Sequence, residues 1–348
     1  MENQRSGWAF VGSVDRSSLV KNTRNIPHRE FPNHPNILVL KPPGRRIGQT
    51  KDHQDQPVLD LNSGSPSGYL AAMAKPLSLL KEICAAPGRD EPLVFKDDFS
   101  SRSQGGEVFR SVEDVPILRE EPPDLKRISP SHVSSGISSE ALERICSVPD
   151  YTLMLGGGNT TFSHPKVLDV EFNLYSNTDV VADAHRLPFK NDTFDLFFAM
   201  NVFEHLSQPA VVADEVMRVL KPGGSLHIHT AFLQPLHEEP IHFFNATEFG
   251  VREWLKKFQD IKCEVSPNFN PLYSIAWLAA EIQRQVKVEL GRDRAAEIGS
   301  LTLEEVAHFW THPEGWNQTA TDTFFQLSES AQRPIAAGFD FKARKPEA

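Results

Sequence analysis

Between Val180 and Leu206 the chain reads VVADAHRLPFKNDTFDLFFAMNVFEHL. Two apolar runs, VVA and FDLFFAMNV, each finish on groups that are costly to bury unpaired. Asp183 closes the first, and Asn201, Glu204 and His205 close the second. Polar groups at strand ends make sense where those ends open onto a ligand. A similar signature lies upstream. TLML (152–155) runs into Gly156, Gly157 and Gly158, which let a ligand come close to the backbone. KVLDVEF (166–172) offers Asp169 and Glu171, either of which could take both hydroxyls of a ribose. Asp183 could accept from an exocyclic amine. A glycine turn, an acid and a second acid on three successive strands form a nucleoside-binding arrangement. His205 titrates near neutral pH, as a general base or substrate-orienting group must. Glu204 and His205 are equally suited to bracing their loop.

LQPLHEEPIHFFNAT (233–247) brings together His237, Glu238, Glu239 and His242. The two histidines stand five apart around a proline, and no third ligand is evident nearby. Substrate contact is therefore expected here and a metal is not. His227 and His229 alternate along one run and point the same way, as a packed, hydrogen-bonded pair would.

The elements that must position these groups follow from the pattern. TLML, KVLDVEF, DVVA, FDLFFAM and SLHIHTAF are short continuous apolar runs, the mark of strands buried on both faces of a parallel sheet. SQPAVVADEVMRVL reads as a helix capped by Ser207, and KPGG (221–224) as a type II turn. TEFGVREWLKKF is a second helix capped by Thr247. DIKCEV (260–265) and the closing GFDFKARK read as further strands, and Thr302 with Glu305 forms a capping box. Strands alternating with helices predict a doubly wound α/β sheet. The expected organisation is a polar N-terminal arm at 1–73 with strands only at 36–40 and 57–61, a small α+β module at 74–121, and a Pro- and Ser-rich linker with a lead-in helix at 122–150. The main domain at 151–348 carries a helical insertion at 272–335, a candidate lid or dimer surface.

A net charge of −10 argues against broad binding to a nucleic-acid backbone. The three cysteines, Cys84, Cys146 and Cys263, form no CxxC pair and indicate neither a disulfide framework nor a thiolate zinc site. No run reaches the ~18 apolar residues of a membrane helix. No leader-like apolar core stands near Met1, so a cytoplasmic protein is expected.

With LGGGN, LDV, ADAHRLPFKNDTFD, NVFEHL and VLKPGGSLHIHTAFLQP in this order, residues 151–258 resemble class I S-adenosylmethionine-dependent methyltransferases of the type 11, small-molecule kind. The resemblance implies a Rossmann-like sheet of seven strands and S-adenosylmethionine as cofactor. It implies methyl transfer, without metal, to an oxygen or nitrogen of a small-molecule or sugar-like acceptor. Gly156, Gly157, Gly158, Asp169 and Val170 would hold the cofactor. Asp183 would face the adenine amine, with Ala184 and His185 lining the ring, and Asn201 would lie at the methionine end. His205 and His242 are the catalytic candidates; His237, Phe244 and Asn245 are the substrate candidates. The sequence departs from the pattern in three places. Met154 replaces the acid that precedes the glycines, Thr160 replaces the third glycine, and only 11 residues separate Gly158 from Asp169. A parallel crossover usually needs a dozen or more, so the first helix is expected to be shortened. The rival readings are a non-catalytic partner subunit of the same fold and an RNA or protein methyltransferase.

Residues 79–118 also resemble, more weakly, the zinc-ribbon module that activates some methyltransferases. Its four cysteine positions would be Ala86, Arg89, Arg102 and Gly105, so zinc is not expected and apolar packing would have to hold the module.

Overall fold

A computed structural model describes residues 75–120, 125–130, 137, 139–160, 164–266, 269–312, 316–339, 341, 344 and 345. The arm at 1–73, with its two expected strands, lies outside the described residues.

Helix α1 (Leu77–Ile83) leads into three two-residue antiparallel strands, β1 (Val94–Phe95), β2 (Ser101–Arg102) and β3 (Val108–Phe109). The hairpin β4 (Ser111–Val112) and β5 (Val115–Leu118) follows. Helix α2 (Ser139–Ser147) precedes β6 (Thr152–Leu155), β7 (Val167–Glu171), β8 (Val180–Ala182) and β9 (Phe194–Met200). Helix α3 (Pro209–Val219) then leads to β10 (Leu220–His229). Seven of these strands form one sheet in the order β10–β9–β6–β7–β8–β5–β4, parallel except for the terminal hairpin.

Alternation along the pleat divides the core. Leu153, Leu155, Leu168, Val170, Phe197 and Ala199 pack with α1 and with Val212, Val216 and Val219 of α3. The residues between them, Met154, Val167, Leu196 and Phe198, pack with Ala141 and Ile145 of α2. The sheet is thus wound on both faces. Phe189, Phe194, Phe197, Phe198 and Phe203 are fully buried, each contributing about 1.5–3 kcal/mol by removal from water. Among the described residues no helix stands between β6 and β7, in line with the short spacing.

The sheet reaches seven strands by a different route from the one expected. DIKCEV forms no strand. Cys263 and Val265 are exposed, and Arg252 claims the Ile261 carbonyl at 3.1 Å. The described residues of GFDFKARK form none either. The added strands come instead from β4 and β5, because Ile117 and Leu118 are buried beside Val181 and Ala182 of β8. The N-terminal module is therefore built into the main sheet, and Cys84, Leu93 and Phe95 share its core. Polar contacts also join the turn at Arg89–Glu91 to the β2–β3 hairpin: Arg89 pairs with Glu107, and Glu91 accepts from the Gly105 N–H at 3.0 Å.

Two capping expectations hold. Thr247 accepts from Gly250 N–H at the start of α4 (Glu248–Trp254), and Thr302 and Glu305 form the capping box of α7 (Leu303–Thr311). At α3 the cap is Gln208 rather than Ser207, with no side-chain bond of its own. KPGG is a bulge inside β10 rather than a turn before it. Helices α5 (Pro271–Leu290), α6 (Arg292–Gly299), α7, α8 (Gln318–Gln326) and α9 (Glu329–Gln332) follow β10 and α4. Val286, Ile298, Ala320 and Leu327 are among the residues of their own small core.

Candidate functional site

The strands β8, β7, β6, β9 and β10 end along one edge of the sheet, where ligands of open α/β folds bind. Gly156 has φ +71°, and a Cβ there would stand 2.4 Å from Cγ2 of Val202 at the end of β9. A Cβ on Gly157 would stand 2.6 Å from Cε of Met154 and 2.9 Å from both carboxylate oxygens of Asp169. A Cβ at either position would force its neighbours to shift, and at Gly156 the positive φ adds backbone strain.

The two acids of β7 divide their roles. Asp169 is buried beneath Gly157, on the sheet face that Met154 also occupies. Its carboxylate oxygens have no hydrogen-bond partner among the described residues. Burial, and then repulsion from Glu171 and Asp179, hold its pKa well above the usual range. Glu171 stands at the carboxyl end of β7, where its Oε1 accepts from the Gly158 N–H. Burial pushes its pKa up to about 7. Glu171, rather than Asp169, therefore stands at the glycine turn. The sequence signal was present, since Glu171 is the last residue of its strand. Val170 contributes its backbone: its carbonyl accepts from Gly156 N–H at 3.0 Å, while its side chain is in the core.

Asp183 follows β8 and caps a single helical turn, Ala184–Arg186, accepting from His185 N–H at 2.9 Å and from the His185 ring at 2.7 Å. The other ring nitrogen of His185 accepts from Gln208 N–H at 3.2 Å, which supplies the bond that α3 lacks at its start. Asn201 ends β9 in the left-handed region at φ +54°, and its N–H donates to the His229 carbonyl at 3.0 Å. That conformation is least costly for Asn among residues with side chains.

Beyond β9, Glu204 is fully buried. Its Oε2 accepts from the Thr230 hydroxyl at 3.0 Å, and its Oε1 has no partner among the described residues. Burial pushes its pKa up to about 7. The loop after β10 folds back over it, with the Phe243 and Phe244 N–H groups donating to the Glu204 carbonyl at 2.8 and 3.2 Å. This brings His205, His237 and His242 together, with ring centroids 4.1–5.7 Å apart. Trp277 of α5 lies 5.1 Å from the His237 ring. Sequence order thus hides that the fold brings Glu204 and His205 beside His237.

Three of the candidate residues make contacts that hold the loop itself. His242 accepts from His237 N–H through Nδ1 and donates to the Phe244 carbonyl through Nε2, each at 3.2 Å. Both of its ring nitrogens are thus engaged in holding the loop. Phe244 packs against Trp254 at 5.4 Å, whereas Phe243 is the exposed ring. Asn245 holds the loop by donating to the Gln234 carbonyl at 2.9 Å. His227 and His229 form the expected pair, Nε2 to Nε2 at 3.2 Å, and burial and then His229 push the His227 pKa down to about 4.

The sequence profile of a family described as a methyltransferase domain matches residues 160–228, from just after the glycine turn to Ile228 near the end of β10. This stretch of the sheet is thus similar to the methyltransferase domain of the S-adenosylmethionine-dependent class I kind. The methyltransferase domain is 35% identical over 81 residues to an uncharacterised methyltransferase of Mycolicibacterium vanbaalenii, covering 23% of this chain and 29% of that protein. It is 35% identical over 95 residues to sterol methyltransferase-like 3 of Botryococcus braunii, covering 25% of this chain and 24% of that protein. The chain thus spans less than a third of the length of these relatives. Among solved structures, Haemonchus contortus phosphoethanolamine N-methyltransferase 2 with S-adenosyl-L-methionine is 18% identical, at a TM-score of 0.30 over 52% of this chain and 47% of that one. S-adenosylmethionine is the cofactor of the family, and the residues at this sheet edge fit it: a turn that a Cβ would fill, Glu171 over that turn, and Asp183 two strands away. No helix among the described residues is long and apolar enough to cross a membrane.

Proposed function

We propose that the chain transfers the methyl group of S-adenosylmethionine to an oxygen or nitrogen of a small-molecule or sugar-like acceptor. One observation carries this reading. The glycine turn, Glu171 and Asp183 end three adjacent parallel strands, and the same sheet edge continues into Glu204, His205 and His237 beyond β9 and β10. The cofactor supplies an electrophilic methyl on a sulfonium. Glu171 would accept from the ribose hydroxyls, and Asp183, held by His185, would accept from the adenine amine. His205 donates from Nδ1 to the Ile241 carbonyl at 3.2 Å, which leaves the lone pair on Nε2. Burial holds the pKa of His205 below the usual histidine range, so this nitrogen is unprotonated at neutral pH. Alignment of the reacting atoms would supply most of the acceleration.

Calorimetric titration with S-adenosylmethionine and S-adenosylhomocysteine tests the reading. A micromolar dissociation constant, about −8 kcal/mol, is expected. Asp183→Ala should weaken binding by roughly 1–3 kcal/mol, with circular dichroism confirming that α3 persists without its Asp183–His185 support. Absence of binding would defeat the enzymatic reading. Binding without turnover across a panel of hydroxylated and amine acceptors would favour a non-catalytic partner of the same fold, a reading motivated by Met154 in the acid's place.

A further inference from the structure

We propose that Glu204, His205 and His237 form a binding site for one divalent first-row transition cation, with zinc the best match. One ligand atom from each of the three residues lies within 4.8 Å of the others. The hydrogen bonds around them set the tautomers. His205 donates from Nδ1 to the Ile241 carbonyl at 3.2 Å, and His237 donates from Nδ1 to the Pro235 carbonyl at 2.9 Å. A carbonyl can only accept, so in both rings the proton sits on Nδ1 and the lone pair on Nε2. A backbone carbonyl holding the far nitrogen is the usual support of a metal-bound histidine.

Glu204 completes the set. It is fully buried, Thr230 holds one carboxylate oxygen, and the other has no partner among the described residues. A buried polar atom left unpaired calls for an explanation such as an ion. The loop is held over it by the Phe243 and Phe244 N–H groups on the Glu204 carbonyl and by His242 on the His237 N–H. Two imidazoles and one carboxylate match the donor set of catalytic zinc sites, which keep a fourth position for water or substrate. The same set also suits iron(II). Ligands of a bound zinc stand about 3.4 Å apart, given bonds of about 2.0–2.2 Å, so the cluster would contract on the ion. The site stands on these residues alone and does not rest on methyl transfer.

The test uses the full chain, freed of any affinity tag and stripped with a chelator, then titrated calorimetrically with zinc chloride. Cobalt(II) serves as an optical reporter. One ion per chain is expected, with visible absorption bands from the cobalt form. Glu204→Gln and His237→Ala should each weaken zinc binding about tenfold or more. His227→Gln, in the separate histidine pair, should leave it unchanged. Circular dichroism and melting of each variant establish that it is folded. His237 lies on a partly exposed loop, so its variant keeps the test valid should the Glu204 variant unfold. Absence of stoichiometric binding overturns the site, as does binding that survives substitution of His237.

Discussion

Glu171→Gln separates stability from cofactor recognition in a single residue. In the wild type, burial raises the Glu171 pKa from 4.5 to about 7. Below pH 4.5 the carboxyl is neutral in both folded and unfolded chains, and ionisation costs nothing. Between pH 4.5 and 7 the unfolded chain releases the proton while the folded chain keeps it, so stability falls as pH rises. At 1.36 kcal/mol per pH unit, the interval from 4.5 to about 7 amounts to roughly 3 kcal/mol. Glutamine does not titrate, and its oxygen can still accept from the Gly158 N–H. The variant should therefore match the wild type near pH 4.5 and become more stable by up to roughly 3 kcal/mol at pH 8. Its affinity for S-adenosylmethionine should nevertheless drop by roughly 1.5–3 kcal/mol, the size of hydrogen bonds to a charged group. Urea denaturation at several pH values, paired with calorimetry, reads both quantities. A stability difference independent of pH would refute the burial argument, and an unchanged affinity would remove Glu171 from the cofactor site.

Gly156→Ala combines a left-handed φ with a Cβ 2.4 Å from Val202. Denaturant melts should show a loss of roughly 2–5 kcal/mol from strain and overpacking together. Adding Val202→Ala should restore the packing part and leave the strain; a single variant within 0.5 kcal/mol of wild type would show that the turn relaxes freely. His242→Ala should depress turnover by loosening His237 while leaving S-adenosylmethionine affinity within about twofold, roughly 0.4 kcal/mol. Lost affinity with turnover retained at saturating cofactor would move the loop into the cofactor site.

Local pattern determined a good deal. Five of the parallel strands were legible as short apolar runs: β6, β7, β8 and β9 are largely buried on both faces, while β10, at the sheet edge, is half-buried along most of its length. The polar residues at their ends were legible because such groups are costly to bury away from a ligand. The shortened connection between β6 and β7, with no helix among the described residues, followed from a spacing too short for a full crossover helix. Other features were decided only by tertiary packing. Which strands fill the outer sheet positions depended on whether their apolar residues met a buried edge, as Ile117 and Leu118 do at β8 and Val265 does not. Which acid faces the glycine turn depended on pleat and depth: Asp169 and Glu171 lie on the same side of β7, but only Glu171 reaches the strand end. The grouping of His205 with His237, 32 positions further along, came from the loop after β10 folding back onto the Glu204 carbonyl. Sequence spacing carries no trace of that contact, because a long loop closes in space through backbone hydrogen bonds that any residue can make.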